Sequence, residues 1–392
     1  MITMIALGPI ERNSNGYSIR IGHLIDSLLR HDEVTLIEFH IAEPRGAGET
    51  DYKRIEYDAV YRNRRVSDLF FRLFTFNPLG QLKMQLMTIK GIWDNRALIR
   101  SSDMVLIEGA LFPFAVAMAK LLGKTVILDT HCVNLKLGID FKKHNRAAYI
   151  LRCLTWGPLE YFAYRLSDHI IFVSQNEVDF SERMFHMPRK KAMVIPNVLD
   201  IPPLAVTAEE TDLFRQKYGL NGKVVATFLG DLTSVQNKDC VNLILNELAG
   251  GLATTRKDIR FLIVGKGEEG FSEPPDNVVF TGYLDKIDAA IAVTDIFVAP
   301  MRVGAGTKTK VLLFMGYRKP ILTTEVGIEG IDVRGRGDVM VLRIDEFADA
   351  LGSFDPRTIY AGNEIGSCFG GDYSPEVMRS RVDELIAQIH KG

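Results

Sequence analysis

The residues with the clearest chemical potential lie between Asp295 and Gly330, a stretch reading DIFVAPMRVGAGTKTKVLLFMGYRKPILTTEVGIEG. Gly304 and Gly306 leave the backbone free to turn sharply and approach a ligand, and Lys308 and Lys310 follow at once. The elements around them are readable. Asp295–Ala299 is an apolar run of buried-strand length, and Pro300 ends it. A helical period begins at Thr307, with Val311, Leu312, Met315 and Gly316 on one side. Gly316 to Pro320 stops that helix, and Ile321–Thr323 starts the next strand. Strand, glycine loop, helix, strand puts free backbone N–H groups and a positive dipole end beside two lysines. Such a place attracts an anion, most often a phosphate. A plain α/β crossover with no ligand is the alternative.

Other polar residues follow short apolar runs in the same way. Glu108-Gly109 comes after Met104–Ile107, and Asp129-Thr130-His131 after Val126–Leu128. In doubly wound sheets ligands gather beyond the carboxyl ends of the strands, which makes both sites candidates. A histidine there also serves as an ordinary hydrogen-bond partner. Gly265-Lys266-Gly267-Glu268-Glu269-Gly270 is a literal G-x-G-x-x-G after the strand Arg260–Val264. It is not a dinucleotide motif, because Pro274-Pro275 leaves no room for the helix that must follow. Four cysteines without CxxC spacing point to neither zinc nor a disulfide framework.

The chain of 392 residues exceeds what one core usually serves, and two domains are expected. The boundary falls at the proline-punctuated Pro196–Pro203, giving domains 1–198 and 199–373. Short apolar strands alternate with helical periods in both, the pattern of parallel α/β sheets with right-handed crossovers. Ser374-Pro375-Glu376 is a helix start, and its helix, 374–392, is expected to pack back on the first domain. Net charge is −2, which gives no general case for nucleic acid. The charge is unevenly divided: residues 1–198 carry 26 Lys and Arg against 21 Asp and Glu, the remainder 21 against 28.

The stretch that opened this section resembles the donor-binding segment of GT-B-fold retaining glycosyltransferases of the family 4, group 1 type. The match to "PLRxGxGTxxKxLEAMAxGKPVVxT" runs through Pro300, Arg302, Gly304, Gly306, Thr307, Lys310, Leu312, Met315 and Pro320. Val173-Ser174, Glu177 and Ile195-Pro196-Asn197 resemble the family's "VSxxExxxL…viPNGvD" run, and residues 230–244 its "GxLxxxPNxxAVxxL" variant, with Gln236-Asn237 for Pro-Asn. Several positions depart from the pattern: Leu313 stands where the family has a ribose-binding Glu, Asp231 where it often has an Arg, and Val198 where the usual Gly follows Asn. Ala305 stands where most members have another Glu, which glycine-rich variants lack.

The resemblance implies two doubly wound Rossmann-like domains facing across a cleft. It implies transfer of a sugar from a nucleotide-diphosphate sugar with retention of configuration. The donor-binding residues would be Gly230, Lys238, Gly265, Arg302, Gly304, Ala305, Gly306, Thr307, Lys308 and Lys310. His131 would orient the sugar and Lys310 would meet the leaving diphosphate. Asn15, Gly16 and Glu108 would lie on the acceptor side. No Asp-x-Asp occurs, so lysines and helix-start amides would carry the diphosphate charge, with no metal and no cofactor expected. The acceptor would be a glycan or a lipid-linked saccharide. A catalytically silent partner or glycan-binding subunit on the same fold is the alternative, which Leu313 and Asp231 favour.

Residues 61–100 hold eight Lys and Arg against Asp68 and Asp94, with large apolar side chains interleaved. Such a stretch lies in an anionic membrane interface, or packs its apolar side on its own domain. The N-terminus has no basic lead-in to a signal peptide, and no apolar run reaches membrane-spanning length. A cytoplasmic protein is expected, with peripheral contact at the inner face of the plasma membrane.

Overall fold

A computed structural model describes residues 1–8, 10, 16–40, 52–58, 78–140, 146–357 and 372–391. The chain divides into two compact units. The first comprises Met1–Val198, Ala305–Thr307 and Pro375–Gly392, the second Leu199–Gly304 and Lys308–Ser374.

In the first unit the order is β1 (Ile2–Gly8), α1 (Gly16–Leu28), β2 (Val34–His40), β3 (Lys53–Asp58), α2 (Pro78–Asp94), α3 (Arg96–Ser101) and β4 (Met104–Glu108). Then come α4 (Pro113–Leu121), β5 (Thr125–Asp129), α5 (Asn134–Asp140), α6 (Arg146–Leu166), β6 (His169–Phe172), α7 (Gln175–Phe185) and β7 (Ala192–Val194). The seven strands form one sheet in the order β3-β2-β1-β4-β5-β6-β7, with parallel pairing throughout. Central strands are apolar on both faces because helices cover both. Ile5, Ile37, Val105, Ile107, Val126 and Leu128 pack into one core together with Ile92, Ala115 and Ala163 from α2, α4 and α6. Met4, Leu36, Leu106 and Ile127 point the other way, into a core shared with Ile21, Leu24, Ile25 and Leu28 of α1.

Some of this was not legible in sequence. β3 (KRIEYD) is too polar to read as a buried strand; among the described residues it pairs with β2 alone, at the sheet edge. Of the basic stretch 61–100, residues 61–77 lie outside the described residues, and the rest forms α2 and α3, separated by Asn95. The short α5 has no amphipathic period of its own. It is held by buried Glu160 of α6, which accepts from the backbone N–H of Asn134 and Leu135 and from the Asn134 side chain.

The second unit runs α8 (Ala208–Lys217), β8 (Val224–Leu229), α9 (Val235–Leu243), β9 (Ile259–Val264), β10 (Val278–Gly282), α10 (Asp288–Val293), β11 (Ile296–Ala299) and α11 (Thr309–Gly316). β12 (Ile321–Thr323), β13 (Val339–Val341) and α12 (Phe347–Ser353) follow. Its six strands are ordered β10-β9-β8-β11-β12-β13, again with parallel pairing. Thr207 and Glu210 form a reciprocal capping box on α8. α9 continues without a break into a π-helical stretch, Ile244–Ala249, a rarely used geometry that no sequence period announces. β9 is followed by a short 3-10 turn, Glu268–Gly270, and not by an α-helix, as the proline pair requires. α11 begins at Thr309, two residues later than the apolar period predicts, because Lys308 holds extended backbone (φ −83°, ψ 97°).

The last helix, α13 (Pro375–Lys391), belongs to the first unit. Its Met378, Val382, Leu385 and Ile386 enter the core beside α1, and His31 and Arg30 of that unit meet Asp383.

In both sheets the strand order reverses once, at β1/β4 and at β8/β11. Loops at the carboxyl ends of those strands diverge there and leave room for side chains to converge, the usual place for a ligand in open α/β sheets.

Candidate active site

In the first unit Glu108 ends β4 and Asp129 ends β5, and the two are register partners in adjacent parallel strands. Two buried carboxyls at the same height repel, and the fold answers with Arg20 from α1. Its guanidinium grips Asp129 by Nε–H to Oδ2 at 2.9 Å and Nη2–H to Oδ1 at 2.6 Å. Nη1 donates to the carbonyls of Ile195 and Pro196 and to Asn197 Oδ1. Both members of the ion pair are fully buried. Arg20 thus ties α1, the end of β5 and the segment after β7 into one hub.

His131 lies two residues beyond Asp129, its Nε2 2.5 Å from Glu108 Oε2 and its side chain 20% exposed. The Tyr17 ring, also from α1, sits 4.4 Å from the imidazole. Burial would raise the Asp129 carboxyl, but Arg20 overrides it and holds Asp129 below the usual carboxylate range. Glu108 goes the other way: burial, and then the charge of Asp129, push it well above the ordinary value. Burial lowers His131 to about 4, so the imidazole is neutral near pH 7. The short Glu108–Nε2 contact fixes the ring orientation and leaves Nδ1 as the nitrogen not engaged by Glu108.

The ligand atoms of Glu108, Asp129 and His131 lie within 4.8 Å of one another, a spacing that suits a cation. The donor set does not fit one. Arg20 engages both Asp129 oxygens, and a buried guanidinium beside them repels a divalent ion.

In the second unit the ends of β8 and β9 come together as Gly230 and Gly265, whose backbones touch too closely for any side chain. A Cβ on Gly265, which has φ +145°, would lie 1.8 Å from the Gly230 carbonyl oxygen. A Cβ on Gly230 would meet Asn237 Nδ2 at 2.6 Å and Lys310 Nζ at 2.8 Å. Asn237, on the first turn of α9, donates from Nδ2 to the Asp231 carbonyl at 2.9 Å, and its Oδ1 accepts from the Lys310 ammonium. Lys310 Nζ also sits 4.5 Å above the Phe228 ring. Burial lowers this lysine to about 8. An ammonium on the first turn of α11, beside two glycine loops and destabilised by burial, gains most from an anion.

The other cations expected at this place are engaged differently. Arg302 grips Asp239 through Nε and Nη2, at 3.0 and 2.5 Å. Lys308 is buried in an ion pair with Glu329 at 3.6 Å. Lys238 is exposed, its ammonium 5.6 Å over Phe271 in the loop after β9. Asp231 pairs with Lys266 at 3.1 Å and accepts from Thr233. Gly304, Ala305, Gly306 and Thr307 form the loop into α11, with Gly306 at φ +71° and the buried Thr307 hydroxyl making no hydrogen bond. Gly16 is the first residue of α1, and Asn15 lies outside the described residues.

Sequence reasoning missed Tyr17, Arg20 and Asn237. Arg20 left a signal: it lies four residues before Leu24 and eight before Leu28, in the apolar stripe of α1. A charge there is buried, and a buried charge needs a partner.

Two family models match the chain. "Glycosyltransferase Family 4" covers residues 14–201 and "Glycosyl transferases group 1" covers residues 223–354. The chain belongs to these glycosyltransferases, and its two parallel α/β units are the GT-B fold. Among solved structures it is similar to Anabaena HepE in complex with UDP and glucose. That likeness has 13% identity and TM-score 0.69, covering 98% of this chain and 99% of that one. The α,α-trehalose 6-phosphate synthase of Burkholderia multivorans gives 12% identity and TM-score 0.71, covering 99% of both chains. The lipopolysaccharide outer core galactosyltransferase WaaB, in its apo form, gives 15% and 0.61, also covering 99% of both. No curated protein sequence matches.

Proposed function

We propose that this glycosyltransferase moves a hexosyl group from a UDP-sugar to a hydroxyl of a glycan or lipid-linked acceptor, in cell-surface polysaccharide or glycolipid synthesis, without a metal and with retention of configuration. The observation that carries the reading is Lys310, an ammonium held by Asn237 beside Gly230 at the end of β8, on the first turn of α11. UDP is favoured because HepE structures hold UDP and UDP-glucose on the same fold.

Breaking the bond between the anomeric carbon and the β-phosphate leaves negative charge on the departing diphosphate. Lys310 and the open amides of α11 meet that charge where it develops, which is where electrostatic help lowers a barrier most. Neutral His131, held by Glu108 through Nε2, offers its other ring nitrogen to a sugar or acceptor hydroxyl. Double displacement needs a free carboxylate nucleophile. Asp129 is locked to Arg20, and Glu108 is engaged by His131 with its carboxyl pushed well above the ordinary range by burial, so neither offers a free carboxylate. Same-side entry of the acceptor, its proton passing to the leaving phosphate, then accounts for retention. Among the described residues no helix is long and apolar enough to cross a membrane. Contact with an anionic membrane surface is proposed through residues 61–100, of which 78–100 are described.

Melting curves with UDP, GDP, ADP, CDP and TDP, each with Mg²⁺ and with EDTA, test the donor reading. A ligand that binds only the folded chain raises its melting temperature. UDP is expected to do so equally in EDTA, and Lys310→Ala to abolish most of the shift and of the turnover. No shift with any nucleotide identifies the chain as a silent partner, with Leu313 and Asp231 as the cause.

A further inference from the structure

The helices that cover one face of the first unit's sheet have an unusual outer surface. α2 packs on α4 and α4 on α6, and each sends large apolar side chains away from the core. On α6, Ile150, Leu154, Pro158, Phe162 and Leu166 are exposed, a row with unbroken four-residue spacing. Leu82, Leu86 and Trp93 do the same on α2, Phe114 and Leu121 on α4. Leu154 is 70% exposed and Leu121 79%. Single exposed leucines are ordinary; one such row, continued by further large apolar side chains on two adjoining helices, marks an interaction surface.

Charge selects the partner. Exposed basic side chains on α2, α3 and α6 include Lys83, Lys90, Arg96, Arg100 and Arg165, while Lys120 of α4 is paired with Asp168 at 2.8 Å. Among the described side chains of these helices Asp94 is the sole exposed acid, and Lys90 answers it at 2.6 Å; Glu160 is buried. Arg96 lies 5.0 Å over Trp93 and Arg165 5.6 Å over Tyr161, pairs in which an apolar ring sits under a cation. A second copy of this chain would bring like charge against like charge, because a two-fold contact uses the same patch twice. An anionic bilayer satisfies both features: its acyl boundary takes the apolar side chains and its phosphates take the cations.

The geometry points to the outer surface of α2, α4 and α6 as the seat of this chain on an anionic lipid bilayer. Trp93, Leu121, Leu154 and Phe162 enter the interface, and Lys83, Arg96 and Arg165 meet headgroup phosphates. This extends the membrane contact proposed above to two further helices and rests on that part of the reading, while the donor site is independent of it.

Co-sedimentation of the full chain with vesicles of phosphatidylcholine, alone or mixed with phosphatidylglycerol, tests it in low and high salt. Binding is expected to the mixed vesicles alone and to weaken with salt. Leu154→Glu with Phe162→Glu, and separately Arg96→Glu with Arg165→Glu, are expected to weaken partitioning at least about tenfold. Both variants should keep the wild-type circular dichroism and the UDP melting shift. The inference is overturned by absence of binding to the mixed vesicles at low salt, or by equal binding of either variant. It is also overturned if light scattering shows a dimer that Leu154→Glu with Phe162→Glu dissolves. Vesicle binding without any UDP shift would sink the donor reading and leave this one standing.

Discussion

Half-buried Lys310 and buried Arg20 show two uses of a cation withdrawn from water. Lys310 is held by one neutral acceptor and a ring face, so its charge is under-compensated and its proton is loosened to about 8. A diphosphate restores the charged form, so binding raises this value and takes up a proton as pH climbs. UDP affinity should therefore be flat below about pH 7 and fall towards tenfold per unit above about pH 8. Calorimetric titration across that range checks it, and Lys310→Arg, which keeps its charge, should remove the fall. Arg20 is fully compensated by Asp129 and three further acceptors, and its task is to fix the cluster. Arg20→Met leaves Asp129 buried and unpaired, for an expected loss of about 3–5 kcal/mol in urea unfolding. Gly304, Gly306, Lys310 and His131 stood out in sequence because glycine pairs, lysines and a histidine follow short apolar strands. Asn237 did not: its role rests on two hydrogen bonds, one reaching across to α11.

At the scale of elements, most strands and helices could be drawn from apolar period alone. Exceptions are elements whose stability comes from elsewhere. α5 exists because Glu160 caps its first amides from α6, while β3 exists because β2 offers an unpaired edge. Glu160→Gln replaces one accepting oxygen by an amide donor facing N–H groups. The expected cost is about 1–3 kcal/mol, read as a lower urea midpoint with unchanged slope. The same substitution at exposed Glu209, on the open side of α8, should change the midpoint by less than about 0.5 kcal/mol.

For the molecule as a whole, one long-range decision matters most. α13 is last in sequence yet completes the first unit's core, with Met378, Val382, Leu385 and Ile386 buried beside α1. Leu385→Asp puts a charge into that core and should lower the melting temperature by roughly 10 °C or more, measured by calorimetry. Sequence alone determined what is local or periodic. Strand-length apolar runs, helix starts, glycine turns and the lysine-bearing loop each follow from residues within a few positions of one another. Only tertiary structure decided which charges are already answered. Arg302, Lys308 and Lys310 look alike in a row of letters, but Asp239, 63 residues away, and Glu329, beyond the next strand, engage the first two. The shifts of Glu108 and His131 were likewise decided by burial, with the Asp129 charge adding to the rise at Glu108, because Coulomb interactions act through space and not along the chain.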